Sequence, residues 1–235
     1  MKNDRPVIGI SMNYALVDKY EQFHIRNTYI DAVFTNGGLP LPLPCTADQA
    51  LVEHYLSKVQ ALLIIGGLDY PPHLWGESPH PEIKQMHDRR WQGDITLFLQ
   101  AFHKGLPILG ICAGCQLINI GLGGKIIQHI SNGSMHTGDS HHPIKITGGR
   151  WLPKIFADSQ IMVNSTHHQA LDPNKLGRGI EAVAFAPDGV VEAIEVDAPQ
   201  MVLGLQWHPE RVQDERHRAA VFGTLCKEAQ KIELE

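Results

Sequence analysis

No apolar stretch in this chain approaches the roughly 18 residues that a membrane helix needs, so no segment reads as a membrane span. Basic residues are not in excess: 20 Lys and Arg face 25 Asp and Glu, a net charge of -5 with histidine neutral. That balance gives no electrostatic footprint for nucleic acid or an anionic membrane. Cysteine is sparse, with four residues at 45, 112, 115 and 226 and one C-x-x-C pair among them. Such scatter is not a disulfide framework and suits a reducing compartment, so a cytoplasmic location is expected. The first six residues lead directly into a strand pattern and lack a signal-peptide apolar region. Repeats, low-complexity tracts and linkers are missing as well. The 235 residues therefore read as a single domain, 1–235, long enough to bury a sizeable core.

What is present is an alternation of short apolar runs and helical stripes. Val7 to Ser11 reads as a first strand, and residues 12–24 as a surface loop. Tyr29, Ile30, Val33 and Phe34 share a helix face. The run 39–44, Leu-Pro-Leu-Pro-Leu-Pro, reads as an extended connection because proline excludes helix. Thr46 and Gln49 suggest a capping box before a helix through Leu51, Val52, Tyr55, Leu56 and Val59. Ala61 to Ile65 is wholly apolar, as in a parallel strand buried on both faces. A long loop rich in proline and histidine, 70–87, precedes a helix marked by Ile95, Phe98, Leu99 and Phe102. The second half is strand-rich. Short strands are expected at Lys125–Ile130, Pro143–Thr147, Gln160–Asn164, Ile180–Ala186, Val190–Val196 and Met201–Trp207, with a helix over 214–231. The expected fold is α/β: a doubly wound, mainly parallel central sheet with helices on both faces, plus a small antiparallel strand region in the second half.

The chemistry centres on residues 110–114, Gly-Ile-Cys-Ala-Gly. An apolar run, Ile108 to Ile111, ends there and a helix is expected from Gln116 to Leu122. A nucleophile between glycines, after a strand and before a helix, has the pattern of a nucleophile elbow. The turn has no room for flanking side chains, and the helix N-terminus favours thiolate at Cys112. A cysteine acyl-transfer enzyme also needs a base and a group to orient it. His208 and Glu210, alternating around Pro209 just past a strand end, are the candidates.

These segments, together with Ile8-Gly9-Ile10, Tyr29-Ile30-Asp31-Ala32, Gly66-Gly67-Leu68-Asp69, Leu74-Trp75-Gly76-Glu77, Asn164-Ser165-Thr166-His167-His168-Gln169 and Pro187-Asp188-Gly189, carry a resemblance that spans Val7 to about Phe222. The chain resembles a class I glutamine amidotransferase-type domain, which has a flavodoxin-like fold. It is more similar to the gamma-glutamyl hydrolase branch (peptidase C26), and within it to gamma-glutamyl-gamma-aminobutyrate hydrolases. The resemblance implies Cys112 as nucleophile, His208 as acid and base, Glu210 as its orienting group, and a gamma-glutamyl thioester. It implies oxyanion contacts from Gly66, Gly67 and Ala113. It also implies that Gln116 and the Ser165 to His168 segment, with Asp69 and Tyr70, border the substrate. Hydrolases of this type often carry arginine where Ala113 stands, a bulky apolar residue at Cys115, and a small aliphatic residue at Tyr70. These departures bear on the leaving amine.

The expected partner is a small gamma-glutamyl substrate, with no cofactor, nucleic acid or membrane. Self-association into a homo-oligomer stays open. The alternative is a glutaminase subunit that supplies ammonia to a separate synthase partner. The chain runs 25 residues past Glu210, so no fused synthase domain is expected. A thioredoxin-like pair at Cys112 and Cys115, and a non-catalytic member of the fold, are lesser readings. Histidines 129, 136, 141 and 142 are of a type that binds transition metals. Their spacing fits no familiar zinc pattern, so this region reads as a polar loop without metal.

Overall fold

The computed structural model describes residues 5–131 and 133–234. Its strands are β1 (Val7–Ser11), β2 (Asn13–Val17), β3 (Tyr20–His24), β4 (Leu39–Leu43), β5 (Ala61–Ile64), β6 (Ile108–Ile111), β7 (Ile126–Ile127), β8 (Ser140–Ile146), β9 (Gln160–Ser165), β10 (Ala170–Leu171), β11 (Ile180–Phe185), β12 (Val191–Val196) and β13 (Val202–Leu205). Its helices are α1 (Asn27–Thr35), α2 (Gln49–Leu56), α3 (Asp88–His103), α4 (Ala113–Gly121), α5 (Leu152–Ile155) and α6 (Glu215–Ala229). Nine strands form one sheet in the order β4-β1-β5-β6-β13-β12-β11-β8-β9. From β4 to β13 every pairing is parallel, and from β13 to β9 every pairing is antiparallel. The antiparallel region is thus an extension of the main sheet. Two small antiparallel pairs, β2-β3 and β10-β7, stand apart from it.

Burial on both faces explains why β5, β6 and β13 are continuous apolar runs. Alternate residues feed two cores. Leu63, Leu109 and Leu203 pack with α1 and α6 through Val33, Val221 and Phe222. Leu62, Ile108 and Val202 pack with α2, α3 and α4 through Leu56, Phe98 and Ile118. The doubly wound expectation therefore holds, with order reversing around β1.

Three local readings are corrected. Residues 12–24 are not a loop but the β2-β3 hairpin, turning through Asp18 and Lys19, both at positive φ. Its strands are largely exposed, so no apolar alternation marked them. The proline run 39–44 contains strand β4. It tolerates Pro40 and Pro42 because it is an edge strand, whose proline nitrogens need no ladder partner. The cap of α2 is Asp48, whose carboxylate accepts from the Leu51 N–H at 3.0 Å. Thr46 instead accepts from the Asp48 N–H.

One buried network fixes the end of β5. Arg90, on α3 and 1% exposed, pairs with Asp94 at 2.6 Å and donates to the Ile65 carbonyl at 3.1 Å and to Asn13. Gly66 and Gly67 follow Ile65 directly. Removing one partner of such a pair strands a buried charge, which costs about 3–5 kcal/mol. Asp94→Ala should lower the free energy of unfolding by that amount in a urea titration; a loss below about 1 kcal/mol would contradict this account.

Candidate active site

Cys112 lies at the sharp junction of β6 and α4. Its φ of 53° and ψ of -107° are strained for a side chain-bearing residue, at a cost of about 1–3 kcal/mol. The surroundings enforce it. A Cβ at Gly114 would collide with the Ile64 carbonyl, and one at Gly110 with the Gly114 carbonyl. The Cys112 N–H donates to the Leu205 carbonyl at 2.7 Å, which ties the elbow to β13. Helix α4 starts at Ala113, three residues before the expected Gln116, so the sulfur sits at its very N-terminus.

His208 and Glu210 arrive on the short turn Pro209–Arg211 that follows β13. The Nδ1 of His208 is 2.7 Å from Glu210 Oε1. His208 and Cys112 are each 7% exposed and Glu210 is 3% exposed, so the group is nearly closed to solvent. Gly66 marks where they meet. A Cβ there would lie 2.9 Å from His208 Cε1, 3.1 Å from the Tyr29 hydroxyl and 3.5 Å from Cys112 Cβ. Glycine is needed because these groups converge on that point. Burial alone would push the His208 pKa down. The Cys112 thiolate and the Glu210 carboxylate outweigh it and raise it to about 10. The imidazolium form of His208 is thus favoured.

Two supports were not evident from the sequence. Asn164, at the end of β9, holds the backbone of His208 twice. Its Nδ2 donates to the His208 carbonyl and its Oδ1 accepts from the His208 N–H, both at 2.9 Å. Tyr29, on the helix face and in one of the segments that carry the resemblance but given no role there, accepts from the Gly66 N–H at 3.1 Å. Burial and the Glu210 charge push its hydroxyl well above the ordinary value, so it stays protonated. The Gly66 N–H is therefore engaged, which corrects its place among the oxyanion donors. Ala113, in the first turn of α4, has no helical partner for its N–H.

The other expected substrate residues divide. Gln116 is one turn along α4 and lies 3.4 Å from Gln206. Asp69 pairs with His168 at 3.0 Å and accepts from the Lys84 N–H at 2.7 Å, latching the 70–87 loop. Tyr70 is corrected: it is 1% exposed and donates to Asp94 at 2.7 Å, inside the core. Ser165 is fully buried and donates to the His136 carbonyl at 3.3 Å. His167 turns its Nδ1 to the Gln169 carbonyl at 2.8 Å. Both are thus tied to backbone carbonyls. Cys115 is buried, and burial and the nearby Cys112 charge hold its thiol well above the ordinary value. Its sulfur packs against Gly204. The polar-loop reading of 136–142 is also corrected, because His136 and His142 are buried, at 0% and 2% exposure.

The chain is 33% identical over 223 residues to a candidate glutamine amidotransferase of Mycobacterium tuberculosis, covering 90% of this chain and 71% of that one. It is 27% identical over 224 residues to gamma-glutamyl-gamma-aminobutyrate hydrolase PuuD of Escherichia coli, covering 88% and 86%. A crystal structure from Thermoplasma acidophilum, of one candidate component of a GMP synthase, superposes with a TM-score of 0.68 at 17% identity over 98% of each chain, a likeness of fold. The peptidase C26 family model matches residues 6–210, and the chain belongs to that family.

Proposed function

We propose that this chain hydrolyses the gamma-amide bond of small gamma-glutamyl amides through a Cys112-His208-Glu210 triad. Its family supports an enzyme of the gamma-glutamyl hydrolase and amidotransferase type, acting on amide bonds. The observation that carries the finer reading is the meeting of a strained Cys112 with a His208 that Glu210 holds at 2.7 Å.

In this reading the Cys112 thiolate attacks the gamma-carbonyl carbon. The oxyanion that forms is met by the N–H groups of Ala113 and Gly67, poised at positions where charge develops. The His208 imidazolium gives its proton to the departing amine as the C–N bond breaks. The neutral imidazole then takes a proton from water, which attacks the gamma-glutamyl thioester. Expulsion of the thiolate releases glutamate and restores the ion pair. Glu210 keeps the ring oriented and its Nδ1 protonated. Cys112 and His208 are nearly buried, which suits a small substrate.

The direct test is glutamate release by the isolated chain across a panel of gamma-glutamyl amides that includes glutamine. At least one amide should be cleaved faster than glutamine. Inactivity on every member, with activity restored by a second protein, would leave the glutaminase-subunit reading in its place. Cys112→Ala should cost roughly 10⁵-fold or more in kcat, because the nucleophile itself is lost. Glu210→Ala should cost less than Cys112→Ala, since it removes orientation rather than the reacting atom.

A second prediction follows from the raised His208 pKa. The proton donor persists above the ordinary histidine value and is lost as pH rises through about 10. The alkaline limb of kcat/KM should lie near there. Glu210→Gln removes one of the charges that raise it, so the limb should move to lower pH. A wild-type profile already falling through about pH 6.5, the ordinary value, would contradict the ion pair.

A further inference from the structure

A second buried polar cluster lies in the antiparallel half of the sheet, and hydrolysis does not account for it. His136, His142, His167 and Glu192 are each at most 6% exposed. Three ring nitrogens surround one carboxylate oxygen. Glu192 Oε1 is 3.3 Å from His136 Nδ1, 3.5 Å from His142 Nε2 and 3.5 Å from His167 Nε2. Neither oxygen of Glu192 has a hydrogen-bond partner among the described residues, and neither do His142 Nε2 and His167 Nε2.

The far side of each ring is already committed. His136 Nε2 faces Asp188 Oδ2 at 2.9 Å, His142 Nδ1 faces the Pro143 carbonyl at 3.2 Å, and His167 Nδ1 faces the Gln169 carbonyl at 2.8 Å. A neutral ring whose proton lies on that far side turns a lone pair toward Glu192. Three lone pairs and a carboxylate then aim at one centre, an arrangement that repels itself unless a cation lies between them. A carboxylate or carbonyl behind each imidazole is also the usual support of a metal-bound histidine.

The spacing fits a small ion. Four ligands at about 2.0–2.1 Å in a tetrahedron are separated by roughly 3.3–3.4 Å. The distances from Glu192 Oε1 lie close to that edge. The ligand atoms of His136, His142 and Glu192 all fall within 4.8 Å of one another. His167 Nε2 is near Glu192 but stands outside that group of three, so binding would draw it further inward than the others.

We propose that His136, His142, His167 and Glu192 form a closed, structural site for a divalent transition-metal ion, with zinc the best match to three imidazoles and a carboxylate. Such an ion would join β8, β12 and the segment after β9. That segment begins beside Asn164, which holds the backbone of His208. The ion would therefore brace the wall of the Cys112 site without touching substrate.

The test uses the full chain carrying Cys112→Ala, so that the thiol cannot supply a rival zinc site. The protein is stripped with a chelator and titrated with zinc, and separately with cobalt(II). Binding of one ion per chain, a higher melting temperature on zinc addition, and the intense visible bands of tetrahedral cobalt are expected. Glu192→Gln and His142→Ala should each weaken zinc binding by roughly 100-fold or more. Asp188→Asn alters only the group behind His136, at a partly exposed position, and should weaken binding about 10–100-fold if the larger changes prevent folding. A melting temperature that ignores zinc, with no cobalt bands, would overturn the site and leave a cluster of protons around Glu192. Unchanged zinc binding in His142→Ala would overturn it as well.

Discussion

The constraint on which the site depends is the passage of α4 over the end of β5. Gly114 lies so near the Ile64 carbonyl that a methyl group cannot be placed between them. That approach fixes the first turn of α4, and with it the strained backbone of Cys112. It also sets the Gly66-Gly67 turn opposite the thiol, since both glycines continue directly from β5. The Arg90-Asp94 pair then holds that turn from the other side, through the Ile65 carbonyl and Asn13. Packing and electrostatics thus converge on one junction. The interior is dense enough there that a change of one carbon atom has to displace backbone.

Much of this was legible in the sequence because its causes are local. A strand buried on both faces must be wholly apolar, so β5, β6 and β13 announced themselves. The elbow was legible because only glycine survives its crowding. His208 and Glu210 stood out as paired functional groups at a strand end. The hairpin β2-β3 was hidden because its exposed strands carry no alternation, and its turn uses Asp18 and Lys19 at positive φ in place of glycine. The prolines of β4 read as a break because edge position, which makes them harmless, is a property of the whole sheet.

The polar supports were hidden for a different reason. Tyr29 presents the periodicity of a core residue, and its hydroxyl finds Gly66 only once α1 is docked. Tyr70 looked like a pocket residue by its place after Asp69, yet the chain turns it inward to Asp94. Glu192 did leave a trace. It and Glu195 interrupt an otherwise apolar strand that is buried throughout. Two buried acids need two separate explanations. Glu195 has one, since it accepts from the N–H groups of Arg150, Trp151 and Leu152 at the start of α5. Glu192 faces histidines contributed from distant parts of the chain, and their convergence depends on tertiary structure alone.

The place of β13 has a consequence for how the molecule is made. It is the last strand in the chain, yet it sits in the middle of the sheet, between β6 and β12. A nascent chain that has reached β12 can build a parallel half and an antiparallel half, each with an open central edge. Nothing in the sheet joins the two until β13 is inserted, and such long-range pairings close late and slowly. The same insertion delivers His208 to Cys112 and the Leu205 carbonyl to the elbow. The reactive thiol on the parallel half thus lacks its base until β13 closes the sheet. The open edges exposed meanwhile are the surfaces on which misassembly would begin.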